Sequence, residues 1–178
     1  MKLFAWPAVL TLLATLVACG DTSTSASSDT SGSAAAAWQL SDEPADAVDV
    51  RQAKTSAQEG DAVVVRGRVG GRVQPVSDDG TVFTVMDLSV THCWQMGDED
   101  HCPTPWDYCC ELPEDITANA ATVQLVDAEG RPLSVGAGDQ VEPLDEVVLV
   151  ATVAPRPTPD VLVLRTTGVY RTERPSAP

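Results

Sequence analysis

Residues 61–73 read DAVVVRGRVGGRV, and this stretch is the strongest guide to the fold. Alternate positions are apolar: Val63, Val65 and Val69 face one side, whereas the arginines between them face the other. That period of two predicts a β-strand. The glycines within the stretch allow a sharp bend or a bulge. A long, bent first strand of this kind is typical of a small barrel.

Further apolar segments downstream are predicted as strands, and they cover residues 81–90, 120–126, 131–135, 146–153 and 161–171. Two of them flank the turn sequence DAEG at 127–130, which predicts a hairpin. Upstream, a short helix is predicted over 49–58. Asp49 and Gln52 have the spacing of a capping box, and the following apolar residues share one helical face.

Five or six short strands with one short helix predict an all-β domain that folds as a small barrel. Residues 50–71, VRQAKTSAQEGDAVVVRGRVGG, resemble the opening of OB-fold domains, in which a glycine-broken strand starts the barrel. The resemblance covers residues 48–171 as a pattern and implies an OB-like barrel. One feature departs from that pattern. OB-folds usually place a helix between strands three and four, and residues 136–146 carry no helical period.

The first residues resemble the signal peptide of bacterial lipoproteins. Lys2 precedes an apolar run that is too short for a stable membrane span, and the run ends in the lipobox-like sequence LVAC at 16–19. The resemblance implies cleavage before Cys19 and lipid attachment to its thiol. It also implies a lipid-anchored location in the bacterial cell envelope, facing the periplasm or the exterior.

Composition divides the chain into four parts. Residues 1–18 are the predicted signal peptide, 19–45 the lipidated cysteine and a flexible Ser/Ala-rich linker, 46–172 the barrel domain, and 173–178 a disordered tail. The formal net charge is −15, which repels phosphate backbones and argues against nucleic-acid binding. The lipid, rather than the acidic domain, is expected to contact the membrane.

Residues 92–111, HCWQMGDEDHCPTPWDYCCE, hold both histidines and four of the five cysteines. We call them the Cys-rich segment. In an exported protein such cysteines favour disulfides. Adjacent cysteines rarely bridge each other, so two pairings remain open. They are Cys93–Cys109 with Cys102–Cys110, and Cys93–Cys110 with Cys102–Cys109. The part CPTPWDYCC, 102–110, resembles a segment of uncharacterised bacterial lipoproteins and exported proteins. The resemblance supports the fold and the envelope location and implies nothing about mechanism.

The same cysteines offer an alternative, a site for zinc or copper(I), with His92 and His101 as weaker ligand candidates. The spacing lacks a C-x2-C pair, which zinc sites commonly contain. A thiol-redox role needs an exposed reactive thiol, and no C-x-x-C motif marks one. Neither a G-x-S-x-G elbow nor a phosphate-binding glycine loop is present, so the sequence does not indicate an enzyme.

Binding candidates outside the thiols are aromatic, acidic or basic: Trp94, Trp106, Asp107, Tyr108, Arg66 and Arg68. The aromatic residues form either a binding patch or a small core over the bridges. The arginines either contact an anion on the barrel face or pair with acidic residues. The sequence therefore predicts a lipid-anchored, non-enzymatic binding or structural domain. It has a disulfide-stapled loop, no cofactor and an unidentified envelope partner. The alternative is a metal-binding or thiol-redox protein.

Overall fold

The computed structural model describes residues 36–96, 102–135 and 140–172. The predictions for the signal peptide, Cys19, the first part of the linker, His101 and the tail therefore lie outside the described residues. Trp38 is buried in the core, and the backbone nitrogen of Leu40 donates to the carbonyl of Val169 at 2.9 Å. The folded body thus includes residues from within the segment 19–45. Among the described residues, no helix has the length and apolar character that crossing a bilayer requires.

The described elements are, in chain order, β1 (Val48–Asp49), α1 (Val50–Ser56), β2 (Ala62–Val69), β3 (Val82–Met86), α2 (Pro113–Asn119), β4 (Ala120–Leu125), β5 (Glu146–Val153) and β6 (Val163–Arg171). The sheet order is β1-β2-β3-β4-β6-β5, and β2 also pairs with β5. Five strands therefore close into a barrel, with β1 added as an extra strand. The β1–β2 and β4–β6 pairs are parallel and the other pairs antiparallel, so the sheet is mixed.

The prediction of a mostly β structure with a small barrel is confirmed, whereas the predicted hairpin is shorter than expected. The segment 131–135 forms no named strand. It pairs with the end of β4 through one isolated bridge, between Val126 and Pro132, in which the nitrogen of Leu133 donates to the carbonyl of Leu125 at 3.1 Å. The turn at 127–130 does form, with the nitrogen of Asp127 donating to the carbonyl of Arg131.

The predicted first helix is present as α1, but the capping box is not. Asp49 stands at the N-cap position without a side-chain hydrogen bond. Instead, the first turn is held from outside, because Asp87 Oδ2 accepts a hydrogen bond from the nitrogen of Arg51 at 2.8 Å. Helix α2 was not predicted. Its signals are a proline in the first turn followed by Glu114 and Asp115, which suit a helix N-terminus.

The core lies inside the barrel and is built from valine, leucine and alanine with one phenylalanine and one tryptophan. Its strand residues include Val65, Val69, Phe83, Val85, Val123, Leu149 and Leu164. Val50 and Ala53 of α1 join this core. Gly67 makes the close packing of α1 possible. A Cβ at that position would lie 2.9 Å from the carbonyl oxygen of Met86 and 3.0 Å from Cγ2 of Val50.

Candidate metal centre

The Cys-rich segment lies in the connection between β3 and α2 and docks on the end of β2. The nitrogen of Gly71 donates to the carbonyl of Trp106 at 2.8 Å, and the indole nitrogen of Trp106 donates to the carbonyl of Val73 at 3.0 Å. Gly70 lets the segment approach this closely. A Cβ on Gly70 would lie 2.6 Å from the Trp106 carbonyl oxygen and 2.9 Å from the ring of Tyr108. The barrel therefore positions the later half of the segment through its backbone.

Among the described residues of the segment, a backbone hydrogen bond joins the first part to the later part. The nitrogen of Cys93, the first residue of a short 3-10 helix, donates to the carbonyl of Pro105 at 3.1 Å. This contact brings Cys93 beside the later cysteines. Its sulfur lies 3.9 Å from that of Cys109, and the sulfurs of Cys102 and Cys109 are 3.6 Å apart.

Asp107 completes the group, because one carboxylate oxygen and the sulfurs of Cys93, Cys102 and Cys109 all lie within 4.8 Å of one another. We call these four residues the S3O cluster. The carboxylate is held on both oxygens. Oδ2 accepts a hydrogen bond from the hydroxyl of Thr104 at 2.7 Å, and Oδ1 accepts one from the nitrogen of Cys109 at 2.9 Å. The carboxylate is thus oriented before any ligand arrives.

Tyr108 stands in the turn between Asp107 and Cys109. Its φ is 58°, a left-handed backbone conformation that residues other than glycine adopt only at an energetic cost. Its ring is completely buried, and that burial stabilises the turn. The turn brings the carboxylate before it and the thiol after it into one cluster. Tyr108 is therefore part of the packing beneath the segment rather than of an exposed aromatic patch.

The expected double disulfide staple is not formed in this structure, in which all four thiols of the segment are unbridged. A disulfide needs a sulfur–sulfur distance of about 2.05 Å, well below the distances seen here. Cys109 is the near neighbour of both Cys93 and Cys102. The sulfurs of Cys93 and Cys102 thus both lie close to that of Cys109, whereas the thiol of Cys110 contacts that of Cys93 and lies outside the S3O cluster.

Crowding of the thiols opposes their ionisation. Burial, followed by the neighbouring thiol of Cys102, raises the pKa of Cys93 to about 11. Hydrogen bonds with the neighbouring thiols of Cys102 and Cys93 also raise the pKa of Cys109. Burial disfavours the charged thiolate, and the hydrogen bonds between neighbouring thiols favour the protonated form. A bound cation reverses this balance, because it stabilises the thiolates and releases their protons.

His92 lies beside the cluster but does not belong to it. Its side chain is about 1% exposed, and neither ring nitrogen has a hydrogen-bond partner among the described residues. Burial, and then the positive charge of Arg68, lowers the pKa of His92 to about 4, so the ring is neutral near pH 7. The buried hydroxyl of Tyr108 likewise has no hydrogen-bond partner in the described part of the chain.

The remaining predicted residues are spread over the domain. Arg66 pairs with Glu43, and Arg68 pairs with Glu146. Trp94 and Trp106 are half-buried. The sequence reasoning did not connect Asp107 with the thiols and did not identify Thr104. The available signal was the spacing Thr104-x-x-Asp107, in which a hydroxyl can orient a carboxylate within one turn.

Three soft sulfur donors and one oxygen donor match the ligands of zinc. With zinc–sulfur bonds of about 2.3 Å in tetrahedral geometry, two bound sulfurs are about 3.8 Å apart. The two measured separations, 3.6 and 3.9 Å, bracket that value. The cluster thus has the composition of a zinc site, and two of its sulfur–sulfur separations match the edges of a zinc tetrahedron.

Comparison of the chain with protein-family models, with curated proteins and with solved structures gave no match. The interpretation of the S3O cluster therefore rests on its own geometry and chemistry.

Proposed function

We propose that this domain binds one zinc ion through the thiolates of Cys93, Cys102 and Cys109 and the carboxylate of Asp107. The observation that carries the proposal is the pair of sulfur–sulfur distances, 3.9 and 3.6 Å, around a shared thiol. These distances are too long for a covalent bond and fit two edges of a zinc tetrahedron. The oriented carboxylate of Asp107 supplies the fourth donor.

The donor set favours zinc over copper(I). Copper(I) prefers soft sulfur ligands, whereas zinc accepts thiolates and carboxylates together. Asp107 contributes a hard oxygen that is already directed by Thr104 and by the backbone of Cys109.

The role of the ion is structural. Four protein ligands fill a tetrahedral zinc, which leaves no position for a water molecule or a substrate. The ion ties Cys93 to residues 102–109, so that it staples the segment in the way that disulfides were expected to. This role agrees with a non-enzymatic domain.

The proposal extends to the location and the fold. The LVAC sequence supports a lipid on Cys19 and an envelope location. A protein or ligand of the envelope is the partner that such a location would offer. A closed five-stranded barrel whose first strand contains a glycine supports an OB-like fold. Helix α2 lies between the second and third barrel strands, β3 and β4, and not between the third and fourth. That position is a departure from the usual OB pattern.

The second candidate is a binding domain whose segment is held by disulfides. The short distances around Cys109 favour it, since a modest movement of either neighbour would allow a bond to Cys109. The two candidates differ in the state of the sulfurs. Zinc binding needs the sulfurs of Cys93, Cys102 and Cys109 reduced, whereas the disulfide staple needs the cysteines of the segment oxidised in pairs.

The deciding experiment is native and denaturing mass spectrometry of the full-length protein isolated from its envelope, with thiol labelling before and after chelation. We expect one zinc per chain, and labels on the thiols of the segment once the protein is denatured with a chelator. Cys93→Ser should lose the zinc, while Cys110→Ser, outside the cluster, should retain it. A metal-free protein whose mass shows two lost hydrogen pairs would overturn zinc binding and establish the double staple.

A further inference from the structure

We propose that the zinc site is also a redox switch, in which a peroxide oxidises Cys102 and Cys109 to a disulfide and thereby releases the zinc. This inference rests on the proposed zinc site and adds a regulation to it. It follows from three features of the S3O cluster: the unequal exposure of its thiols, the shortest sulfur–sulfur distance, and the position of Cys109 between two partners.

Exposure selects the thiol that reacts first. Cys109 is exposed and Cys102 is half-buried, whereas Cys93 is about 1% exposed. A small oxidant in solution therefore meets Cys109 before the other cluster thiols. Zinc keeps this sulfur as a thiolate, which is the form that attacks a peroxide.

Distance selects the partner. The sulfur of Cys102 is 3.6 Å from that of Cys109, which is closer than Cys93 at 3.9 Å. Cys102 also has more freedom to move than Cys93, because Cys93 is buried and its backbone nitrogen is bonded to Pro105. Closing the remaining gap is therefore easier for the Cys102–Cys109 pair.

The chemistry balances with peroxide as the only added reactant. The Cys109 thiolate attacks one peroxide oxygen, the O–O bond breaks, and a sulfenic acid and one hydroxide form. The Cys102 thiolate then attacks the Cys109 sulfur, forms the S–S bond and displaces a second hydroxide. Two thiolates have lost two electrons, which reduce hydrogen peroxide to two hydroxide ions.

Loss of zinc follows from loss of ligands. A disulfide sulfur carries no negative charge, so only Cys93 and Asp107 remain of the S3O cluster. Two ligands do not complete the four-coordinate shell of a structural zinc site. Because Cys109 is exposed, a small dithiol can reach the new disulfide and restore the thiolates.

The test uses the full-length, zinc-loaded protein and hydrogen peroxide as the oxidant. Zinc release is followed with a chromogenic chelator, and peptide mapping after alkylation locates the disulfide. We expect about one zinc released for each Cys102–Cys109 bridge formed, and recovery of zinc binding after a dithiol reductant is added with fresh zinc. Cys110→Ser should still release its zinc and form the Cys102–Cys109 bridge, because Cys110 is not one of the four ligand residues.

Zinc that stays bound after peroxide treatment would overturn the switch and leave the zinc site intact. Release that accompanies a Cys93–Cys109 or Cys109–Cys110 bridge, or irreversible sulfinic acid, would also overturn it. A reduced protein that never takes up zinc would instead overturn the proposed function itself, so the two failures are distinguishable.

Discussion

The carbonyl oxygen of Trp106 accepts a hydrogen bond from the backbone nitrogen of Gly71 at 2.8 Å, and this contact joins the Cys-rich segment to the end of β2. The contact is between backbones, so its length depends on the absence of a side chain at the neighbouring Gly70. A Cβ there would lie 2.6 Å from the same oxygen. The position of the S3O cluster relative to the barrel is therefore set by a glycine.

Gly70→Ala is expected to push the segment away from the barrel. The added methyl group overlaps Trp106 and Tyr108, so we expect a loss of about 1–3 kcal/mol in unfolding free energy. Zinc affinity should fall about tenfold, as it does when support around a metal site is disturbed. Urea unfolding and zinc titration measure the two effects. Gly60→Ala is the control: it meets open space and should leave zinc affinity unchanged, despite its own backbone strain.

Asp107→Asn tests the oxygen ligand without removing its bulk. The asparagine retains one oxygen that can accept a hydrogen bond, but it carries no charge and is a poor zinc ligand. Changes to residues that only support metal ligands cost about tenfold or more in affinity. We expect the loss of a ligand itself to lower zinc affinity by more than about tenfold. Competition with a chelator of known affinity measures the change. Glu111→Gln removes a nearby acid outside the cluster and should keep wild-type affinity; equal losses in both variants would contradict the assignment.

Asp87 makes the stability of the domain depend on acid. Burial by itself raises the pKa of this carboxyl. Hydrogen bonds from Ser89 and from the nitrogen of Arg51 lower the pKa by more than burial raises it, so the pKa lies below the ordinary value of 3.8. A lowered folded pKa stabilises the protein above the unfolded pKa. That stability is lost as pH falls through the folded value, here below about 4.

Asp87→Asn is expected to weaken the domain by about 1–3 kcal/mol near neutral pH, because the amide cannot accept all three hydrogen bonds. The difference from wild type should shrink as pH falls through the lowered folded pKa, where the native carboxyl becomes neutral as well. Thermal unfolding between about pH 2 and about pH 7 measures both the loss near neutral pH and its decrease in acid. The exposed Glu59→Gln should follow the wild-type curve; a constant gap for Asp87→Asn would exclude the acid linkage.

Arg156 fastens the Pro-rich turn before β6 to the end of α1. Its guanidinium donates to the carbonyls of Lys54 and Ala57, both at 3.0 Å, and to those of Pro159 and Val161 in its own turn. Arg156→Lys keeps the charge but loses the planar fork. We expect about 1–3 kcal/mol less unfolding free energy, measured in urea. Arg165→Lys, on an exposed position of β6, should change it by less than about 0.5 kcal/mol.

Local patterns in the sequence predicted most of the barrel. The strand 146–153 has the predicted bounds, and the helix over 49–58 is present as 50–56. The strand expected over 61–73 is β2, which ends at Val69. Beyond it, the backbones of Gly71 and Val73 hydrogen-bond to Trp106 of the Cys-rich segment and not to a neighbouring strand. Period and turn chemistry act between neighbours in the chain, so they report on strands and turns. They carry no information on which distant segment will dock against a strand end.

What the amino-acid sequence determined by itself is a set of strands that alternate apolar and polar residues, a glycine-containing strand over 62–69 and a segment rich in thiols. The tertiary structure alone decided that the sulfurs of Cys93 and Cys109, sixteen positions apart, lie 3.9 Å from each other and that Asp107 joins them. The physical reason is that this meeting depends on a buried tyrosine, a carboxylate held by Thr104 and a backbone contact to the end of β2. Such contacts join residues that are distant in the chain, so local sequence patterns do not report them.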